Sequence, residues 1–190
     1  LRTKWHRALP IMANRLAIQP IQRLVTSRER KSGYGPEALE SRDCSHLLDG
    51  APTLSVTPRR TKFSDYFTEE DVEEIKEHDV DVLIRFGFRI LRGEILNAAH
   101  FGIWSYHHGD HHENRGSAAG FWEVAEGKEC TGTILQILTA DLDNGIILYS
   151  SHTHTEKYCV EKNKNAMFWK STSFLPRKIE ELHRLGSLDF

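Results

Sequence analysis

The sequence has no uninterrupted apolar run approaching the roughly 18 residues that a membrane-crossing helix needs, and no short apolar segment with the flanks of a secretory signal. Neither a membrane span nor an export leader is therefore expected. Cysteine is scarce: Cys44, Cys130 and Cys159 are odd in number, and no two stand in C-x-x-C spacing. No disulfide framework is implied, and the pattern fits reduced thiols in a cytoplasmic setting. Internal repeats and low-complexity tracts are lacking too, so a repeat architecture is not expected. Acidic residues are nearly missing from the first 31 positions, where eight Lys/Arg face a single Glu29, leaving about −9 on the other 159 residues against an overall −2. Such asymmetry reads as a solvated basic helix or arm, with nucleic acid or an anionic membrane as the sharper, rarer alternative. The chain begins on Leu1 rather than Met, which points to a fragment of a longer product.

What is present is 190 residues, 39% hydrophobic, enough to bury one substantial core. Residues 1–50 read as a basic, irregular or helical N-terminal segment, because Pro10 and Pro20 interrupt the helical spacing of Leu9, Met12 and Leu16, and Gly33, Gly35 and Pro36 close it. Residues 51–160 read as an α/β core. Thr53–Thr57 is a candidate strand, Thr68-Glu-Glu-Asp71 a capping box opening a helix to about Glu77. The run Val80, Val82, Leu83, Ile84, Phe86 suits a strand buried on both faces. A helical turn or two over 92–99, a second apolar run at 101–106, a helix over 118–126 and strands at 131–138 and 146–150 complete the alternation. This order predicts a layered, Rossmann-like α/β domain with a largely parallel sheet. Residues 161–190 read as a helical extension, with Pro176 in a first turn, Ile179, Leu182 and Leu185 inward and Gly186 as the stop. Trp104, Phe121, Trp122 and Trp169 are expected to pack inside.

Between the second run and the next helix lies Ser105-Tyr-His-His-Gly-Asp-His-His-Glu-Asn-Arg-Gly116, with four histidines and two carboxylates. Imidazole and carboxylate are good zinc and iron ligands, and His108-x-Asp110-His111 resembles part of the H-x-H-x-D-H signature of metallo-β-lactamase-like hydrolases. The first histidine of that signature falls on Tyr106, and only His152, His154 and His183 remain downstream, so a metal hydrolase stays an alternative and no metal is expected. His111 and His112 read as solvent-facing, and His152-Thr-His154 as two surface rings on one strand face.

The other chemistry is proton handling. The loop leaves the carboxyl end of the strand 101–106, and a second acidic turn, Thr139-Ala-Asp-Leu-Asp-Asn-Gly145, leaves the strand 131–138 at the same edge, where open α/β sheets bind ligands. A histidine from one loop and a carboxylate from the next can converge there. Asp141 and Asp143 are also plain turn formers, and that reading stays open for the turn on its own.

Taken in order, Ser105-x-His107, Arg115-Gly116, Thr131-Gly132 and Leu142-Asp143-x-Gly145, preceded by Gly87-Phe-Arg-Ile-Leu-Arg-Gly93, resemble the formyltransferases that use 10-formyltetrahydrofolate, over roughly residues 80–150. Those enzymes carry N-x-H on the first loop, an aspartate in a D-x-G turn on the second and a G-F-M-R-I-L-S segment. The resemblance implies a formyl donor, 10-formyltetrahydrofolate, and an amine acceptor such as an aminoacyl-tRNA or an amino sugar, with nucleic acid a partner only if the acceptor is tRNA. It implies His107 as the group facing the oxyanion, Asp143 as the residue that orients it, and the backbone of Arg89, Ile90, Leu91 and of Thr139, Ala140, Asp141 as the pterin walls. Two departures stand out. Ser105 replaces the family's amide donor, and the loss of one oxyanion donor costs about 10²–10³ in rate. The family's first hydrophobic strand and glycine turn have no counterpart in residues 1–30. A catalytically impaired folate- or ligand-binding module on the same fold is the alternative that these departures motivate.

Overall fold

Residues 19–35, 37–110, 112, 118–142 and 144–188 are described in the computed structural model of the chain. Pro20, expected to interrupt a helix, instead sits in the first turn of α1 (Gln19–Lys31), where the N–H it lacks would have no intrahelical partner. The capping box forms as its spacing dictates: the Thr68 hydroxyl accepts the Asp71 N–H at 3.1 Å, the Asp71 carboxylate accepts the Thr68 N–H at 3.2 Å, and α2 runs Glu69–Glu77. Thr53–Thr57 forms no strand. It keeps a strand's alternation, with Leu54 and Val56 turned inward, but has no ladder partner.

Two sheets form. In the smaller, β1 (Arg59–Arg60) pairs antiparallel with β2 (Ser64–Tyr66), and β2 pairs parallel with β4 (Ile90–Arg92). The larger has the order β3 (Leu83–Ile84), β5 (Ile103–His107), β6 (Cys130–Ile137) and β7 (Ile146–His154). The mixed α/β layering is as expected, but the larger sheet is not largely parallel: β3 and β5 are parallel, whereas β5–β6 and β6–β7 are antiparallel. The connection 138–145 is too short for the crossover of a dozen or more residues that a parallel return from β6 to β7 requires. Nor is β3 buried on both faces. Among the described residues it has a ladder partner on one edge alone, and Ile84 and Phe86 are 39% and 66% exposed.

The period of two along β5 divides the core. Ile103 joins Val72, Leu91, Ile95 and Ala98 on one face, while Trp104 joins Leu135, Leu148, Phe174 and Leu182 on the other. The second face is covered by α4 (Val160–Ser171) and α5 (Phe174–Leu185), with the short α3 (Phe121–Ala125) beside them. Gly186 ends α5 in the left-handed conformation at φ 67°. Leu182 is buried as expected, whereas Ile179 and Leu185 lie at the rim; Trp104 and Phe121 are core residues, and Trp169 is half exposed.

The described part of the basic segment, α1, is held by its one acid. The Glu29 carboxylate accepts the N–H groups of Val160 and Glu161 at 3.1 and 2.9 Å, capping α4, and Arg30 pairs at 3.0 Å with the fully buried Glu161.

Candidate functional site

Ser105 and His107 stand two apart on β5, hence on the face they share with Ile103, while Tyr106 and His108 turn to the face beneath α4 and α5. The Tyr106 hydroxyl donates to the Ser171 carbonyl at 3.0 Å and accepts the Leu175 N–H at 3.1 Å. His108 stacks on Tyr106, with ring centroids 5.7 Å apart, lies 4.4 Å from the Phe168 ring, and brings Nε2 to 3.4 Å from the Ser171 hydroxyl. Two adjacent histidines thus part company: His107 lies on the Ser105 face of β5, and His108 is a packing residue.

Burial, helped by the neighbouring His107, pushes the His108 pKa down to about 4. The folded state then binds fewer protons than the unfolded chain between pH 6.5 and 4, so stability falls as pH drops through that window, by at most about 3 kcal/mol for this residue. The urea midpoint of His108→Phe is accordingly expected to change less between pH 7 and 4.5 than that of the wild type. Equal acid sensitivity in both would show that His108 is not the group responsible.

Beyond His107 the loop is held by Asp110. Its carboxylate lies 2.9 Å from His152 Nε2 and accepts the His112 N–H at 2.8 Å, so His152 serves as a loop anchor rather than a bare surface ring. Gly132 on β6 makes this approach possible: a Cβ there would stand 2.9 Å from the Asp110 Cα. The neighbouring Thr131 is buried in a hydrogen-bonded set with Thr155 and Asn163. The Thr-Gly pair is therefore a seat for the histidine loop, one residue fastening β6 and the next leaving room.

The two segments predicted as pterin walls are linked at one point, through the residue after Leu91. The Arg92 guanidinium donates to the Ala140 carbonyl, tying β4 to the second turn. Thr139 Oγ1 lies 3.2 and 3.1 Å from the carbonyl oxygens of Asp141 and Asn144, closing that turn, and Gly145 fits where a Cβ would stand 2.5 Å from the Ile137 carbonyl. Leu91 is buried and Ile90 half-buried. Arg89 points elsewhere: its side chain pairs with Asp65 at 2.7 Å, its N–H donates to the same carboxylate at 2.8 Å, and its carbonyl accepts Arg85 Nε at 3.1 Å. The Arg89 N–H holds the Asp65 carboxyl below the usual carboxylate range against the opposing effect of burial. Beside β4 lies an apolar cavity of about 200 Å³, lined by Phe67, Phe88, Leu91, Ile95 and Ile103 with Arg85 at its wall.

Ser105 is 2% exposed, and its hydroxyl accepts a hydrogen bond from Arg85 Nη1 at 2.9 Å. Asp143, with His111, Arg115 and Gly116, lies outside the described residues. Among the described residues no group of three or more His, Cys, Asp or Glu side chains is placed to hold a metal, and no helix is long and apolar enough to cross a membrane. Sequence reasoning did not single out Arg85, Arg92 or Asp65. The signal for Arg85 was a charge inside the apolar run Leu83–Phe88.

Because β6 is antiparallel to β5, Ile134 stands opposite His107 and Ile137 opposite Trp104, so the 138–145 turn leaves beside the amino end of β5 and not, as expected, at the edge where the histidine loop leaves. The mixed sheet with helices on its faces is a formyltransferase-like fold. Among solved structures the chain is similar to phosphoribosylglycinamide formyltransferase from Bacillus halodurans, with a TM-score of 0.55, 18% identity and 62% of each chain covered. It is likewise similar to the enzyme of that name from Campylobacter jejuni, at TM-score 0.52, 18% identity and 59% of each chain. Glycinamide ribonucleotide transformylase 1 from Symbiobacterium toebii gives TM-score 0.51 and 23% identity, over 57% of this chain and 52% of that one. The chain thus spans between 52% and 62% of the length of these structures, and at such identities the likeness is one of fold. No protein-family model matches the sequence, and a search of curated proteins found no match.

Proposed function

We propose that the chain transfers a formyl group from 10-formyltetrahydrofolate to an amine, an aminoacyl-tRNA or an amino sugar, in the cytoplasm. The observation that supports this reading is Arg85 linking Ser105 of β5 to the Arg89 carbonyl just ahead of β4, with Arg92 at the end of β4 tied to the Ala140 carbonyl of the 139–145 turn. The site suits a flat ring: Leu91 of β4 lines an apolar cavity beside Arg85. Arg89 can add only its carbonyl, which keeps one lone pair, because its N–H is taken by Asp65.

The folate supplies an electrophilic formyl carbon: the amine lone pair forms the new C–N bond, the bond to the folate nitrogen breaks, and the proton shed by the amine ends on that nitrogen, so a formamide and tetrahydrofolate leave. His107 faces the formyl oxygen and donates a hydrogen bond as negative charge gathers there. The resemblance gives Asp143 the part of orienting the His107 ring and helping the proton move through water. Nucleic acid enters only if tRNA is the acceptor, and no step calls on a metal.

Isothermal titration with 5-formyltetrahydrofolate, a stable donor analogue, tests the reading; saturable binding to one site is expected, and the absence of binding sinks it. A folate-binding module without turnover is the second reading, favoured by the 2% exposure of Ser105. Tight binding with no tetrahydrofolate released from 10-formyltetrahydrofolate in the presence of methionyl-tRNA or an amino sugar would decide for it.

A further inference from the structure

We propose that Arg85 fills the donor position vacated at Ser105, presenting its guanidinium to the oxygen that gathers negative charge during formyl transfer; this rests on the formyl-transfer reading above. Arg85 follows directly on β3, its own N–H donates to the Trp104 carbonyl at 2.9 Å, and so it falls beside Ser105 on the neighbouring strand. Three contacts fix the guanidinium: Nε to the Arg89 carbonyl at 3.1 Å, Nη2 to the Phe88 carbonyl at 2.6 Å and Nη1 to the Ser105 hydroxyl at 2.9 Å. A guanidinium has five N–H donors, so two remain. All three acceptors are neutral oxygens. Among the described residues no carboxylate forms an ion pair with Arg85, whereas Arg89, four residues on, forms an ion pair with Asp65.

A half-buried cation without a counter-charge is costly to maintain. Burial lowers the Arg85 pKa from its usual value, with the more distant Asp65 opposing. Such a charge is accounted for if an anion arrives during the reaction, and a guanidinium gives stronger, charge-assisted hydrogen bonds than a neutral hydroxyl or amide. Residue sizes agree. With Nη1 already 2.9 Å from the serine oxygen, the longer amide of an asparagine at this position would run into the guanidinium. The serine is thus the small partner that an arginine donor requires. The cost of a lost amide, about 10²–10³ in rate, does not then apply.

The test is a double-mutant cycle of Arg85→Gln and Ser105→Asn, read out in two ways: kcat for tetrahydrofolate release from 10-formyltetrahydrofolate, and calorimetric affinity of formate for the protein saturated with tetrahydrofolate. Formate stands in for the charged formyl oxygen. Arg85→Gln is expected to lower kcat by about 10²–10³ and formate affinity by about tenfold or more, with tetrahydrofolate affinity changed less than about threefold. Ser105→Asn alone also lowers both, through the clash, whereas the double variant regains about tenfold in both over Arg85→Gln, because the amide then occupies the freed space. Arg85→Lys keeps the charge and retains formate affinity within about threefold, which covers the case in which Arg85→Gln does not fold. The proposal is overturned if Arg85→Gln leaves formate affinity and kcat unchanged, or if the double variant is no better than Arg85→Gln. A wild-type protein that binds no tetrahydrofolate overturns the formyl-transfer reading itself; one that binds tetrahydrofolate but shows no coupling between positions 85 and 105 overturns the role of Arg85 alone.

Discussion

His107→Ala is expected to lower formyl transfer by about 10³-fold or more, because it removes both a donor to the charged oxygen and the group that moves a proton near neutral pH. Geometry singles this ring out from its neighbours. His107 ends β5 on the Ser105 face with Ile134 across the ladder, whereas His108 is packed against Phe168 and Tyr106 on the opposite face. His112 is exposed, and its backbone N–H donates to the Asp110 carboxylate. Single-turnover rates with 10-formyltetrahydrofolate should therefore collapse for His107→Ala and for Asp143→Ala, while His112→Ala and His111→Ala retain most of the rate and tetrahydrofolate affinity changes by less than about threefold in all four. Comparable loss in all four variants would mean that the loop acts as a unit and that His107 has no separate role.

The distinction between His107 and His108 was legible in the sequence, since the strand period that puts Ser105 and His107 together sends Tyr106 and His108 the other way. The capping box at Thr68 and the glycine stop at Gly186 were legible for the same reason: each is a local rule, satisfied within a few residues. Strand direction was not. Parallel and antiparallel returns share one apolar pattern, and only the length of the connection between β6 and β7 separated them. Two-sided burial of Val80–Phe86 failed similarly, because an apolar run does not say whether a second neighbour will cover it; Phe86 is left 66% exposed. Arg85, Arg89 and Arg92 lie within eight residues, yet their three destinations depend on contacts with β5, β2 and the 139–145 turn that no local pattern encodes. The serine at 105 reads as a lost donor in the sequence; beside Arg85 it reads as the space a donor occupies.

Gly132→Ala should produce a second large loss from a residue that takes no part in the chemistry. An added Cβ would stand 2.9 Å from the Asp110 Cα and 3.0 Å from its N and Cβ, all within or next to the backbone, so no side chain can swing aside to relieve the overlap. Both partners are clamped. Gly132 lies across the ladder from His152, and His152 holds the Asp110 carboxylate at 2.9 Å, so the methyl group pushes strand and loop apart against their own tie. The loop begins three residues earlier at His107, and a displacement of that ring by about 1 Å is enough to cost on the order of 10²-fold in rate. The expected result is a fall in kcat of about 10- to 100-fold, with a loss of about 1–3 kcal/mol in unfolding free energy from overpacking. Steady-state kinetics and urea denaturation of Gly132→Ala measure the two together. Releasing the tie separates the two effects: in the Gly132→Ala, His152→Ala double variant the loop can lift off the strand, so stability should recover while kcat stays low. A Gly132→Ala protein with wild-type kcat would show that the position of Asp110 does not reach His107.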